Sequence, residues 1–295
     1  MPTSKKDVQL SLLTITAVLG ISAAVASTVD QSSISLWGHS ALVVCAALAL
    51  LIQMAAWLPA SIKKTEVYFD LTGGLTYLIL VAVSLWAGSR TTSPSAREWV
   101  LSGLVSIWAI RLASFLFLRI HRAGKDQRFD DLKTSPIRFL VPWSLQGLWV
   151  FLTLVVVLVV NLQSTEAPPL GVLDAIGICL WVCGFAIEVI ADRQKTAFNR
   201  QAQNRNRWID TGLWSLSRHP NYFGEILLWT GIALAGCSVF TGTEWWALIS
   251  PLFVAILLIK ISGIPLLDRK SYAKWGHDPD YLAYRNTTRA LLPWP

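Results

Sequence analysis

The chain has 295 residues, 54% of them hydrophobic and only 15% charged, with a formal net charge of +7. A soluble domain carries about 25% charged residues, so this composition excludes a protein that faces water on all sides. Repeated apolar stretches of membrane-crossing length indicate an all-α, polytopic transmembrane helical bundle of about eight spans.

In chain order the predicted spans are Val8–Ala26, His39–Pro59, Leu71–Ala87, Trp99–Leu118, Phe139–Asn161, Gly171–Ala191, Asn221–Phe240 and Trp245–Ile264. Lys5, Lys6, a short apolar core and Ala24-Val25-Ala26 give span one some likeness to a cleavable signal peptide. Its long apolar run, with no soluble domain behind it, favours an uncleaved anchor; cleavage would leave seven spans and the same orientations. If both termini are cytoplasmic, only Arg90 and Arg97 fall in loops on the opposite side, while Arg111 lies inside a span. The positive-inside rule demands this asymmetry. The basic charge is then an orientation signal, and the expected partner is the bilayer rather than a nucleic acid. No linker or internal repeat divides the chain, which reads as functionally one domain, with residues 1–70 carrying the first two spans and their cytoplasmic loop. Its oligomeric state is left open.

Cys45, Cys179, Cys183 and Cys237 all fall within spans, without the His or further Cys that a metal site needs. They read as small apolar packing residues, and no metal is expected. Most of the 15 tryptophans suit membrane interfaces, with Trp37, Trp99, Trp143, Trp245 and Trp246 near span ends.

A few ionisable groups sit where lipid disfavours them, and each is a functional-site hypothesis. Arg111 occupies the middle of span four; it can snorkel, pair with a carboxylate or meet a bound anion. Asp70 stands at the mouth of span three. Glu188 and Asp192, four apart, project from one face of span six. Like charges at that spacing repel, so the pair suits a ligand offering hydrogen-bond donors, unless Arg193 and Lys195 simply neutralise it. Asn221 and Glu225 repeat the spacing at the start of span seven, behind Arg218, His219 and Pro220. Proline fits the first turn of a helix, and the free N–H groups of that turn make an anion site. Interfacial anchoring accounts for Arg218 and Tyr222, but not for a carboxylate one turn deeper. Basic residues with phosphate-compatible chemistry follow spans four (Arg122, Lys125, Arg128) and six (Arg193, Lys195, Arg200, Arg205, Arg207), and recur in the tail beside tyrosines, as at Tyr284 and Arg285. No Walker or G-x-G-x-x-G motif is present.

The string GLWSLSRHPNYFGEILLWTG (Gly212 to Gly231) resembles the signature of the membrane superfamily of steroid 5α-reductases, sterol reductases and isoprenylcysteine carboxyl methyltransferases. More closely, the chain is similar to a bacterial branch of uncharacterised membrane proteins grouped with the steroid 5α-reductases. Its marks are FDLTGGLTYL (Phe69 to Leu78), IRLASFLFLRI with AGKDQRFDDLK (Ile110 to Lys133), ADRQKTAF (Ala191 to Phe198) and YRNTTRALLPWP (Tyr284 to Pro295). The likeness implies a reductase-like membrane domain over 71–295, with its cofactor-binding part over about 171–295. It also implies residence in a bacterial inner membrane, a cytoplasm-facing cavity for a nicotinamide dinucleotide, and an apolar small-molecule substrate entering from the lipid.

By this resemblance, Asn221 and Glu225 lie at the nicotinamide, Glu188 and Asp192 lie along the dinucleotide, and Arg111 matches the arginine of an aromatic-x-x-Arg element. Lys195, Arg218, His219, Tyr222, Tyr284 and Arg285 complete the expected cofactor set. Glu225, Tyr222 and Asp70 are the expected catalytic residues, with Tyr77 a further phenol. One departure is pointed: Trp108 stands where steroid 5α-reductases carry the tyrosine that binds the substrate ketone, and an indole cannot deliver a comparable proton. The expected activity is NADPH-dependent reduction of a polarised C=C bond in a lipid-like or steroid-like substrate. The alternative is a methyltransferase using S-adenosylmethionine, and a transporter or structural membrane protein ranks behind both.

Overall fold

The structure, a computed structural model, describes residues 4–292; Pro293, Trp294 and Pro295 of the closing motif lie outside the described residues. It is the expected all-α bundle. Among the described residues eight segments are long and apolar enough to cross a membrane, so the chain is an integral, multi-pass membrane protein.

Helix α1 (Lys5–Val29) opens with a capping box, the Ser4 hydroxyl accepting from the Asp7 N–H and the Asp7 carboxylate from the Ser4 N–H. A two-residue hairpin follows, β1 (Ser35–Leu36) against β2 (His39–Ser40), turning on Trp37 and Gly38, both with positive φ. His39, expected inside span two, therefore belongs to a strand, and α2 (Ala41–Lys63) starts behind Ser40 as its cap. Next come α3 (Phe69–Ser89), α4 (Ala96–Ala123), α5 (Pro136–Asn161) and α6 (Val172–Arg200). Because α4 and α6 outrun the predicted spans, Arg122, Arg193, Lys195 and Arg200 stand on helices and not in loops. A short α7 (Leu213–Leu216) precedes α8 (Pro220–Gly236).

Span eight is not one regular helix. It is assembled from a 3₁₀ stretch (Gly242–Leu248), α9 (Ile249–Ile256), a π-turn (Leu257–Ile261) and α10 (Ile264–Trp275), before α11 (Pro279–Thr287). Gly263 and a proline in the first turn of α10 break the continuity that the apolar run suggested.

Contacts group the chain into two compact units, one running to Leu170 and including Gly236–Leu248, the other comprising Gly171–Ala235 and the chain from Ile249. In the first, α5 is the central rod, with α1, α2, α3 and α4 around it and every residue from Val150 to Asn161 buried. An all-round apolar helix demands such burial. Polar pairs tie the rods together. Gln53 donates to the Thr76 hydroxyl (2.8 Å), Asn161 donates to Ser84 (2.9 Å) and Ser102 (3.0 Å), and Tyr77 bonds Thr153. The two glycines of FDLTGG are packing positions: a methyl on Gly73 would strike the Gln146 amide at 2.5 Å, and one on Gly74 would strike Ala113. Trp143, expected at the interface, is fully buried against Phe69 and Phe139. Cys45 alone of the four cysteines is buried, while Cys179 and Cys183 face outward.

In the second unit α6 and α8 run antiparallel with their backbones nearly touching. Gly177 meets Gly231, and Gly184 meets Gly224; a methyl on either Gly177 or Gly184 would stand 2.5 Å from the opposing carbonyl oxygen. Each helix carries its two glycines seven residues apart, two turns on one face, and small residues permit this approach between membrane helices.

Candidate functional site

The glycine crossing positions the site. Gly224 presses on α6 at Glu188, where a methyl would lie 2.8 Å from the Glu188 nitrogen. Glu188 is buried, as is Asp192 one turn further along. Across the crossing, Asn221 directs its Nδ2 at Asp192 Oδ1 over a long 3.4 Å, and Glu225 follows one turn deeper on α8, half-buried. The two four-residue spacings seen in the sequence thus belong to facing helices of one unit. Their meeting residues are Asp192 and Asn221.

The segment entering α8 is held in place by groups from both sides. Gly212, at φ +61°, makes the turn against the Gln194 amide, whose oxygen accepts from Leu213 N–H at 3.0 Å. The Trp214 indole donates to Ala191 carbonyl oxygen (3.1 Å), and the Lys195 ammonium lies 4.6 Å from the centre of the Trp214 rings. The Tyr284 hydroxyl donates to the Trp214 carbonyl at 2.7 Å. Buried Ser217 donates to the Leu291 carbonyl (2.8 Å), and Arg218 N–H donates to the Arg289 carbonyl (2.9 Å), so the tail is stitched along the signature. Burial also raises the Tyr284 phenol above its usual range.

Arg218 and His219 were expected to strengthen an anion site at the start of α8. Both engage Asp268 of α10: Arg218 Nη1 lies 3.2 Å from Oδ2, and His219 Nε2–H donates to Oδ1 at 3.2 Å. The His219 ring stacks on Tyr222 at 5.5 Å and 11°. Burial depresses the His219 pKa, against the opposing pull of Asp268, so the imidazole is neutral with its proton on Nε2. Among the described residues of this unit two guanidinium donors remain unmatched. Arg218 Nε and Arg285 Nε are buried with no acceptor, although both side chains lie within electrostatic reach of Asp268. The Arg285 guanidinium also covers the Tyr272 ring at 5.0 Å.

Sequence reasoning missed Asp268 and Trp214. Asp268 sits beside Arg269 and Lys270, where it looked like one charge of a polar tail, and its partners are about 50 residues away. Trp214 lay in full view within the signature, but its role is geometric, joining α6 to α11.

Asp70 and Arg111 belong to the first unit. Asp70, half-buried in the first turn of α3, lies within electrostatic reach of Arg128, Arg119 and Asp126. The Arg111 guanidinium covers the Phe115 ring at 5.2 Å. Trp108 is buried edge-on against Tyr77, ring centres 5.2 Å apart, so a phenol stands beside the departing tryptophan. Among the described residues no three His, Cys, Asp or Glu side chains form a metal cluster.

Residues 56–288, from within α2 to just past α11, match the family described as "Protein of unknown function (DUF1295)". An uncharacterised protein of Schizosaccharomyces pombe is 21% identical over 238 residues, covering 71% of this chain and 67% of its own length. No solved structure matches at a significant level. The family match takes in the glycine crossing, the Glu188/Asp192 and Asn221/Glu225 spacings and the Asp268 partners, and by it this chain belongs to the DUF1295 family.

Proposed function

We propose that the protein is a membrane-embedded, NADPH-dependent reductase of a polarised C=C bond in a lipid-like or steroid-like substrate. We place it in a bacterial inner membrane with both termini cytoplasmic. The observation that carries this reading is the pair of buried, unmatched guanidinium donors, Arg218 Nε and Arg285 Nε, in the same unit as Glu188, Asp192, Asn221 and Glu225. A buried donor without an acceptor costs about 1–3 kcal/mol, and the phosphate oxygens of a dinucleotide are suitable acceptors. S-adenosylmethionine carries no phosphate, so the same donors favour the nicotinamide cofactor over the methyl donor.

The residues present fit the group. Asn221 and Glu225 would hold the nicotinamide amide, the former donating and the carboxylate accepting. Glu188 and Asp192 would accept from amide or hydroxyl groups, and Lys195, Arg218 and Arg285 would balance phosphate charge. Such a cofactor supplies the hydride. Tyr222, its ring braced by His219, is the side chain we assign to hold the proton given to the second carbon from its Oη. Preorganised donors of this kind stabilise the charge that develops on a polarising carbonyl oxygen.

Thermal denaturation of the purified protein in detergent separates the two cofactor classes. NADPH is expected to raise the midpoint and S-adenosylmethionine to leave it unchanged; the opposite pattern assigns a methyltransferase.

A further inference from the structure

In the first unit a cavity of about 420 Å³ opens where α1, α5 and the 3₁₀ turn that follows α8 (Cys237–Val239) all end. Gln31 lines it just past α1, Gln163 and Glu166 just past α5, and Phe240, Thr241 and Glu244 just past the 3₁₀ turn. The C-terminal end of a helix bears about half a negative charge in its unpaired carbonyls, and three such ends converge here. Among the described residues two carboxylates line the same space, and no Lys, Arg or His does. The cation behind the wall, buried Arg97, directs its guanidinium at the carbonyls of Pro168 (2.9 Å) and Pro169 (3.3 Å).

The wall is built rather than accidental. Glu244, itself buried, accepts from Gln163 Nε2 (2.8 Å), Thr241 N–H (2.7 Å) and the Thr241 hydroxyl (3.1 Å), which holds its carboxylate in one position on the wall. Gln31 donates to the Thr243 hydroxyl at 2.7 Å, which commits an amide hydrogen and leaves the amide oxygen as an acceptor. Glu166 is exposed at the mouth. Acceptors, fixed negative charge and a polar mouth suit a ligand that brings positive charge and hydrogen-bond donors.

We propose that this cavity binds a small organic ammonium ion, a primary amine carrying hydroxyl or further amine groups. Such a group comes either as a free amine or as the ethanolamine headgroup of a lipid. The site is independent of the cofactor reading.

The test uses the full chain in maltoside detergent, melted in the presence of ethanolamine, spermidine, and ethylene glycol as the neutral counterpart, at matched ionic strength. The amines are expected to raise the midpoint and the glycol to leave it unchanged. In Glu166→Gln, a surface change that spares the fold, the apparent affinity is expected to fall about fivefold, the worth of one partly exposed charge contact. If the source is lipid, nanodiscs of phosphatidylethanolamine raise the midpoint over phosphatidylglycerol in the native chain, and the Glu166→Gln variant loses that difference. Equal shifts with amine and glycol, or amine and lipid effects undiminished in both Glu166→Gln and Glu244→Gln, would overturn the proposal, as would no response to any probe.

Discussion

Gly184 of α6 and Gly224 of α8 approach so closely that a methyl group on either would stand 2.5 Å from the carbonyl oxygen of the other. The relation is reciprocal, and it brings the two backbones within reach of Cα–H···O=C contacts. It also sets the separation of Asp192 from Asn221. Forcing a methyl into such a contact costs about 1–3 kcal/mol through backbone displacement. Gly184→Ala and Gly224→Ala are therefore each expected to lower the melting midpoint in detergent. Gly103→Ala, where nothing lies within 4 Å, is expected to leave it level or slightly raised. Equal behaviour of all three variants would remove the crossing from the account.

His219 makes stability depend on pH in a defined direction. Buried beside Asp268, Arg218 and Lys195, it binds a proton less readily in the native state than its ordinary value of 6.5. Below that value the unfolded chain takes up a proton that the native chain resists, so stability falls as pH falls. The contribution is fully present above 6.5 and is lost as pH descends toward the depressed native value. Melting midpoints followed from about pH 7.5 to about pH 5.5 are expected to decline more steeply in the native chain than in His219→Gln. Parallel curves would contradict the buried, neutral imidazole.

The loop between α4 and α5 is pinned by one carboxylate. Glu66, buried, accepts from Asp126 N–H at 2.6 Å and from the Lys133 ammonium at 2.6 Å. Burial works against the charge on Lys133, but the bonds and charges of Glu66 and Asp130 together outweigh it and raise the Lys133 pKa. Breaking a buried pair by removing one partner costs about 3–5 kcal/mol. Lys133→Met is expected to destabilise the protein by an amount of this order, and the Glu66→Gln/Lys133→Met double variant to lose less than the sum of the two single losses. Chemical denaturation of the four forms checks the coupling, and strict additivity would show that the pair does not act as a unit.

Much of the architecture was legible in the chain. Apolar stretches of spanning length gave eight spans because lipid leaves a helix no other way to satisfy its backbone. The four-residue spacings at Glu188 and Asn221 placed each pair on one helix face. The glycines at 177, 184, 224 and 231 carried the crossing in their seven-residue repeats, although nothing local pairs one repeat with the other. What the sequence withheld was non-local or irregular. Asp268 takes Arg218 and His219 from across about 50 residues, a choice that local charge patterns do not encode. The break at Gly263 and the hairpin at Trp37 and Gly38 depend on backbone dihedrals that hydropathy does not register. Trp143 near a span end read as an interfacial anchor, because nothing in its neighbours announces Phe69 as its packing partner.

The central claim, that the unit built on the α6–α8 crossing holds NADPH, is tested most directly by calorimetric titration of NADPH into the native chain and into Asn221→Ala and Glu225→Gln. The account predicts saturable binding by the native chain and affinity at least about tenfold weaker in each variant, a loss of about 1.4 kcal/mol. NADPH affinity unchanged in both variants, or no binding by the native chain, would contradict it.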